Sequence, residues 1–325
     1  MTALSDVALK PRGFPGLDVL RGIAILLVMI AHFIPASFPY ELQISVAAGI
    51  GGVILFFFLS GFLMDRTLAT DRNIFVYAIR RGFRILPMYW MSLILVVVLN
   101  PVWSAGTVAS NATFTAPLTG AERMSGVYWT LYVEVLFYCA APLLRYMGER
   151  AIAIAPYAFI AAMGAFWIFR GGVNAALFYA LFCLAGMQFG AWNRGRLSGR
   201  NLVVAMAVVT VASGAFPIVS IYLAAAPAIC CVLLWIALRT NLQSKAMQFL
   251  GRVSYSWYLI HAVIGFPVRA ALAANPWLAA LTAALLTLLI SVATFMWIER
   301  PTIRFGSRLA SRFSSAPLRS AVAPV

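Results

Sequence analysis

Arg21 and His32 lie eleven residues apart in the apolar segment LDVLRGIAILLVMIAHF. In an α-helix this spacing separates two side chains by about 16.5 Å along the axis and by about 20° around it, so the two residues share one face. A guanidinium binds phosphate in a forked geometry, and an imidazole can act as a base near neutral pH. The pair could therefore hold the anionic end of a long ligand at Arg21 and react with its other end at His32.

Three arginines open a later apolar segment, RRGFRILPMYW, and could extend the anion site. Arg80 and Arg84 are four residues apart and share a helical face, with Arg81 between them. Packed against Arg21, the three would bind phosphate. Coenzyme A fits this arrangement, because its phosphates lie at one end and its thioester at the other. The alternative is that these arginines only anchor the helix at the cytoplasmic surface.

Glu134 is the acidic residue of the segment YWTLYVEVLFY and lies about two turns into a predicted helix. That helix runs inward from the outer face, which gives Glu134 a depth similar to that of His32. A carboxylate near an imidazole fixes its tautomer and raises its basicity. We therefore consider Glu134 a second catalytic candidate, which either orients His32 or accepts the proton of an acceptor hydroxyl directly.

The remaining polar residues of the apolar segments are candidates for supporting roles. An ionised side chain at the bilayer centre costs about 2.5–3.5 kcal/mol, so each needs a partner or a purpose. His261 lies in SYSWYLIHAVI, where we expect a hydrogen-bond network with nearby hydroxyls first and contact with an acyl donor second. Glu299 is expected to pair with a cytoplasmic arginine. The supporting candidates are Asp18, Ser254, Tyr255 and His261. For every one of these groups the alternative is a buried polar contact that joins two helices.

The composition indicates a membrane protein. Of the 325 residues, 63% are hydrophobic and 10% are charged, against about 25% charged in a typical soluble domain. The mean hydropathy is +0.93, which excludes soluble, disordered and collagen-like classes. The net charge of +15 lies in short loops and reflects topology rather than nucleic-acid binding. The four cysteines form no C-x-x-C pair, and we predict neither a disulfide framework nor a metal site.

Apolar runs predict an all-α polytopic fold with about ten transmembrane helices. The first run contains charged residues and lacks a following cleavage site, so we interpret it as a retained span. The predicted spans are 17–34, 47–64, 83–99, 127–144, 151–169, 173–192, 202–217, 218–238, 253–272 and 277–298, with the division near Pro217 the least marked. Glycines of GGVILFFFLSGFLM in the second span permit close helix approach.

Loop charge predicts that both termini are cytoplasmic. With this orientation, 20 of the 24 Lys and Arg residues fall in cytoplasmic segments, whereas the outer loops hold Arg123, Arg170 and Arg269. The chain then divides into a cytoplasmic N-terminal segment (1–16), a transmembrane domain (17–300) and a basic cytoplasmic tail (301–325). We expect the tail to lie against anionic lipid headgroups and expect no second soluble domain.

Six segments, in order, resemble the acyltransferase-3 family of integral membrane acyltransferases. They are LDVLRGIAILLVMIAHF, GGVILFFFLSGFLM, RRGFRILPMYW, YWTLYVEVLFY, SYSWYLIH and IERP. The resemblance implies transfer of an acetyl or similar acyl group from cytoplasmic acyl-CoA to a hydroxyl of an envelope glycan or other glycosylated acceptor, in a bacterial inner membrane. It places the family's Arg and His on Arg21 and His32, its R-x-x-R pair on Arg81 and Arg84, and its acidic residue on Glu134.

Two other classes of protein remain open at this point. A multi-pass transporter or flippase of a glycan or lipid-linked intermediate would also embed ionisable residues in spans. Against it, the charged residues lie near opposite ends of one helix, and no inverted repeat is visible. A scaffold of the cell envelope gives no account of Arg21, His32 and Glu134.

Overall fold

The computed structural model describes residues 14–35, 39–70, 73–171, 175–215 and 224–314, and within these ranges the chain forms helices and no strand. The helices are α1 (Pro15–Phe33), α2 (Pro39–Thr70), α3 (Ile74–Leu99), α4 (Ala105–Ala112), α5 (Ala116–Thr119), α6 (Tyr128–Met147), α7 (Glu149–Arg170), α8 (Ala175–Phe178), α9 (Ala180–Asn193), α10 (Gly199–Ala215), α11 (Ala226–Arg239), α12 (Lys245–Ile260), α13 (Phe266–Ala271), α14 (Pro276–Thr294) and α15 (Arg300–Ser311). The predicted all-α class is therefore confirmed.

Every predicted span overlaps a helix in the described part of the chain. Five helical stretches are long and apolar enough to cross a membrane, namely Pro15–Phe33, Glu41–Thr70, Ile74–Leu99, Glu149–Arg170 and Pro276–Ser311. The count of ten spans and the cytoplasmic placement of both termini stay predictions. The predicted division at Pro217 and the basic residues Lys10, Arg12, Arg72 and Arg319 lie outside the described residues.

Helix α1 lies between α2 and α12, and small residues let all three backbones approach closely. A side chain at Gly22 would overlap the backbone of Met247, and one at Gly251 would overlap the backbone of Asp18. A Cβ at Gly52 would lie 2.5 Å from the carbonyl oxygen of Ala24. The close approach predicted from the glycines of the second span is thus confirmed at Gly52. It places α1 at the centre of the residues predicted to form the site.

The helix that carries the basic segment RRGFR begins at a defined cap. The side chain of Asn73 accepts hydrogen bonds from the amides of Phe75 and Val76 at 3.0 and 3.2 Å, which satisfies two donors of the first turn of α3. Arg81 and Arg84 follow two to three turns later and lie beside α1, α2 and α12.

Two π-helical segments interrupt the C-terminal helices. His261–Gly265 joins α12 to α13, and Phe295–Glu299 joins α14 to α15. The predicted boundary between residues 300 and 301 therefore falls within a continuous helix. The first turns of the predicted tail form α15, which buries Ile303, Gly306 and Ala310 against α3 and exposes Arg304 and Arg308.

Candidate functional site

A cavity of about 100 Å³ lies between α1, α2, α3, α6 and α12. Apolar side chains form much of its wall, and the polar groups converge from all five helices. The polar and ionisable lining residues are Arg21, Ser60, Arg81, Arg84, Thr130, Glu134, Tyr138, Ser254, Tyr255 and Tyr258. The cavity thus brings together most of the residues that the sequence singled out.

Three of the four predicted phosphate-binding arginines line this cavity: Arg21, Arg81 and Arg84. Arg80 is not among the lining residues, because the face of α3 that meets the cavity carries Arg81 and Arg84, three residues apart. The shared face of Arg80 and Arg84 that we inferred from the spacing is therefore not the face that forms this wall.

The arginines of the cavity differ in their partners. The Arg84 guanidinium lies 3.1 Å from Glu299, which is almost fully buried and also accepts a hydrogen bond of 2.5 Å from Ser256. The predicted pairing of Glu299 with an arginine is confirmed, and its partner is Arg84. Arg21 lies 4.0 Å from Asp18, one turn away on α1.

Arg81 has a buried donor without a partner in the described part of the chain. Its guanidinium lies 5.5 Å from the ring centroid of Tyr138, and one terminal nitrogen is 3.5 Å from the hydroxyl of Thr67. Its Nε is buried and has no hydrogen-bond partner among the described residues. A buried donor without a partner is rare in proteins and often marks the position of an ion, water or ligand.

Glu134 forms a compact group with two hydroxyls. Ser60 donates a hydrogen bond of 3.0 Å to Oε1 of Glu134, and the hydroxyl of Tyr138 donates to the same oxygen. The described contacts of Glu134 do not include His32. The predicted pair, in which the carboxylate of Glu134 orients the imidazole of His32, is therefore not formed among the described residues. Glu134 faces the arginine cavity instead.

His32 lies at the other end of α1 and is half-buried. Its Nδ1 is 2.9 Å from the carbonyl oxygen of Val28. The backbone carbonyl of His32 accepts a hydrogen bond from the side chain of Arg269. The ring centroid of His32 lies 4.9 Å from that of His261 and 5.6 Å from that of Phe266. The neighbour of the predicted base is therefore a second imidazole.

His261 is fully buried in the first turn of the π-helical segment. Its Nδ1 lies 2.6 Å from the carbonyl oxygen of Tyr258. The predicted network of hydroxyls around this ring does not form, because those hydroxyls donate to backbone carbonyls elsewhere: Ser254 to Gly251 at 2.8 Å and Tyr255 to Ile85 at 2.9 Å. Both of these residues line the cavity near the arginines.

Tyr258 contacts both the cavity and one of the two histidines. It lines the cavity, and its ring centroid lies 5.5 Å from that of His261. Thr130 donates a hydrogen bond of 2.8 Å to the Tyr258 hydroxyl, which itself donates to the carbonyl of Val127 at 3.2 Å. His32 is not among the lining residues, so this cavity extends from Arg21 to Tyr258 rather than along the whole of the predicted passage.

A second charged cluster was not anticipated from the sequence. Asp65, which is fully buried on α2, accepts hydrogen bonds of 2.8 and 2.7 Å from Arg194. Glu149 accepts from Arg145 at 2.6 Å and from Arg194 at 3.4 Å. The hydrogen bonds and the charge of Asp65 raise the pKa of Arg194 above its ordinary value. An acidic residue directly after an apolar run, in FLSGFLMDR, was the available signal.

Comparison with known proteins agrees with this architecture. The family described as "Acyltransferase domain" matches residues 14–296, so the chain belongs to the acyltransferase-3 family. It is also similar to Nodulation protein 10 of Rhizobium leguminosarum bv. viciae, with 22% identity over 222 residues. That match covers 50% of this chain and 59% of the relative, so the chain spans little more than half of the relative's length. No solved structure matches this chain.

Proposed function

We propose that this membrane acyltransferase moves an acetyl or similar acyl group from cytoplasmic acyl-CoA to a hydroxyl of an envelope glycan or another glycosylated acceptor. The single observation that carries the proposal is the arrangement along α1. An arginine cavity lies at the Arg21 end, and an imidazole with a defined tautomer lies at the His32 end, about 16.5 Å away.

The arginine cavity supports binding of the phosphates of acyl-CoA. Arg21 and Arg81 have no carboxylate closer than 4.0 Å among the described residues, and Nε of Arg81 has no partner. A phosphate would supply acceptors to these donors through short, charge-assisted hydrogen bonds. Glu134 then lies beside the cofactor arm, where Ser60 and Tyr138 hold it in place.

The contact of His32 with its own helix supports a role as base. A carbonyl oxygen only accepts hydrogen bonds, so Nδ1 of His32 carries the hydrogen that it donates to Val28. In the neutral ring Nε2 then has a free lone pair. His32 would accept the proton of the acceptor hydroxyl while the hydroxyl oxygen attacks the thioester carbonyl. A C–O ester bond forms, the C–S bond breaks, and the CoA thiolate takes the proton from His32.

The position of Tyr258 adds one requirement to this reaction. Its side chain lines the described cavity and contacts the His261 ring, and Thr130 hydrogen-bonds its hydroxyl. The pantetheine arm would have to pass beyond this side chain to bring the thioester to His32. A transient acyl group on Nε2 of His32 is the alternative route within the same site.

The proposal is tested with the full chain purified into lipid nanodiscs, with [¹⁴C]acetyl-CoA as donor and envelope glycans from cells that lack the protein as acceptors. Mass spectrometry identifies the acylated sugar. We expect His32→Ala to lower transfer by about 10²–10⁴-fold, because general base catalysis is lost. Ser45→Ala is the control, since Ser45 donates to the Ile30 carbonyl at the same end of α1 and carries no imidazole.

Transfer at the wild-type rate by folded His32→Ala protein would refute the assignment of the base. Glycan flux across proteoliposomes without consumption of acetyl-CoA would refute the proposed function and favour a flippase.

A further inference from the structure

His261 presents a buried nitrogen that nothing in the described part of the protein satisfies. Nδ1 donates its hydrogen to the carbonyl of Tyr258 at 2.6 Å, so Nε2 of the neutral ring can only accept. Nε2 is buried and has no hydrogen-bond partner among the described residues. Around the His261 ring lie the rings of His32, Phe33, Tyr258 and Phe266, whose centroids are 4.9 to 6.0 Å from its own centroid.

The two imidazoles thus have the same tautomer, with Nδ1 as the donor and Nε2 as the acceptor. Each donates through Nδ1 to a carbonyl of its own helix, Val28 for His32 and Tyr258 for His261. Each leaves Nε2 as an acceptor, and the ring centroids are 4.9 Å apart. Since both nitrogens accept, neither can satisfy the other, and a ligand that serves both must bring two donors.

The local backbone positions His261 for such a role. The residue opens a π-helical segment, and π-helical turns occur frequently at functional sites. A Cβ at Gly265, the last residue of the segment, would lie 2.6 Å from the Phe33 ring, so the segment packs directly onto the end of α1 that carries His32. This packing holds the segment that carries the second imidazole beside His32.

We propose that His32 and His261 together form the acceptor subsite and that its ligand is a diol, a sugar with two neighbouring hydroxyl groups. The hydroxyl on His32 Nε2 is the one that is acylated. The neighbouring hydroxyl donates to His261 Nε2 and remains unmodified, so His261 is a binding residue that does not exchange a proton. This inference rests on the proposed function and names the class of its acceptor.

The first test uses the fact that the chain contains only two histidines. Histidine labelled with ¹⁵N is incorporated into the full chain, which carries an affinity tag free of histidine, in nanodiscs. We expect two histidine signals, both with hydrogen on Nδ1, and His261→Gln assigns them. Saturation with methyl α-D-mannopyranoside should shift the His261 Nε2 signal toward a hydrogen-bonded acceptor. A hydrogen on Nε2 of His261, or no shift at saturation, overturns the inference.

The second test separates binding of substrate from support of the fold. His261→Asn keeps a donor near Nδ1 for the Tyr258 carbonyl, whereas His261→Gln places an acceptor near Nε2. A substrate role predicts that the Asn variant raises KM for the glycoside about 10–100-fold and that the Gln variant largely restores it. A purely structural role of His261 predicts instead that the Gln variant is impaired more than the Asn variant. That result would overturn the inference.

A third test compares acceptor analogues. The glycoside that lacks the neighbouring hydroxyl should lose about as much kcat/KM as the Asn variant, and the two losses should not add, because both remove one hydrogen bond. Equal acylation of the deoxy and parent glycosides refutes the diol site and leaves the proposed function intact. Absence of any acetyl-CoA consumption with the mannoside and with envelope glycans refutes both.

Discussion

Two arginines of this protein, Arg194 and Arg81, differ in how far their hydrogen-bond donors are satisfied. Arg194 binds Asp65 through two nitrogens at 2.8 and 2.7 Å and lies 3.4 Å from both oxygens of Glu149. Arg81, in the cavity, makes one contact of 3.5 Å to the Thr67 hydroxyl and leaves Nε without a partner in the described structure. Both residues belong to segments that positive-inside topology alone would explain.

Under the proposed function, this difference separates an arginine that supports the fold from one that would bind a phosphate. A buried donor without a partner costs about 1–3 kcal/mol, and this cost persists at Arg81 but is removed at Arg194. Asp65 and Glu149 hold α2, α7 and the segment after α9 together through Arg194. In the cavity, Arg84 is paired with Glu299, whereas Arg81 leaves a donor that an anion can satisfy.

Asp65→Ala should destabilise the fold by about 3–5 kcal/mol, because it leaves the charge of Arg194 without its main partner in a largely buried site. Unfolding in mixed detergent micelles measures the loss. Arg150→Ala on the neighbouring α7 is the control, since Arg150 is exposed and its replacement should change stability by less than about 0.5 kcal/mol. Affinity of the folded Asp65→Ala protein for CoA should be unchanged, and a loss of affinity would contradict the division.

Arg81→Gln should lower the affinity for CoA and leave the stability of the fold nearly unchanged. We expect CoA affinity to fall about 10–100-fold, because one charged set of donors to phosphate is lost. Stability should change little, since Arg81 has no carboxylate closer than 4.0 Å among the described residues. Calorimetry in nanodiscs provides the affinity.

Arg80→Gln is the matched control for Arg81→Gln, with the same loss of charge one residue away on α3 and outside the cavity lining. Equal loss of CoA affinity in both variants would indicate a general positive field rather than a defined site.

Gly190→Ala should disturb the ion pair of Asp65 with Arg194, because the added methyl group would overlap the Asp65 side chain. A Cβ there would lie 2.6 Å from Oδ2 of Asp65, so the side chain of Asp65 must shift and its hydrogen bonds to Arg194 are disturbed, at a cost of about 1–3 kcal/mol. Gly164→Ala is the control, because its Cβ meets nothing within 4 Å and the change should stabilise α7 by up to about 1 kcal/mol. Equal unfolding midpoints for the two variants would show that Gly190 does not support the Asp65 contact.

Much of the architecture could be predicted from the order of residues. Long apolar runs predicted helices that the structure places over the same stretches, because hydrophobic length is a local property. The periodicity of α1 relates Arg21 to His32, and the segment RRGFR predicts that Arg81 and Arg84 lie near Arg21, with which they line one cavity. Asp65 was missed because its role depends on Arg194, 129 residues later.

The sequence by itself determined the helices, the charged groups embedded in them and the family of the protein. Tertiary packing decided which groups meet. It placed His261, not Glu134, against His32, directed Glu134 to Ser60 and Tyr138, and set Tyr258 against both the cavity and His261. The physical reason is that helical periodicity orients a side chain about its own axis. The partner of that side chain depends on how separate helices cross and on a π-helical turn that changes the register after α12.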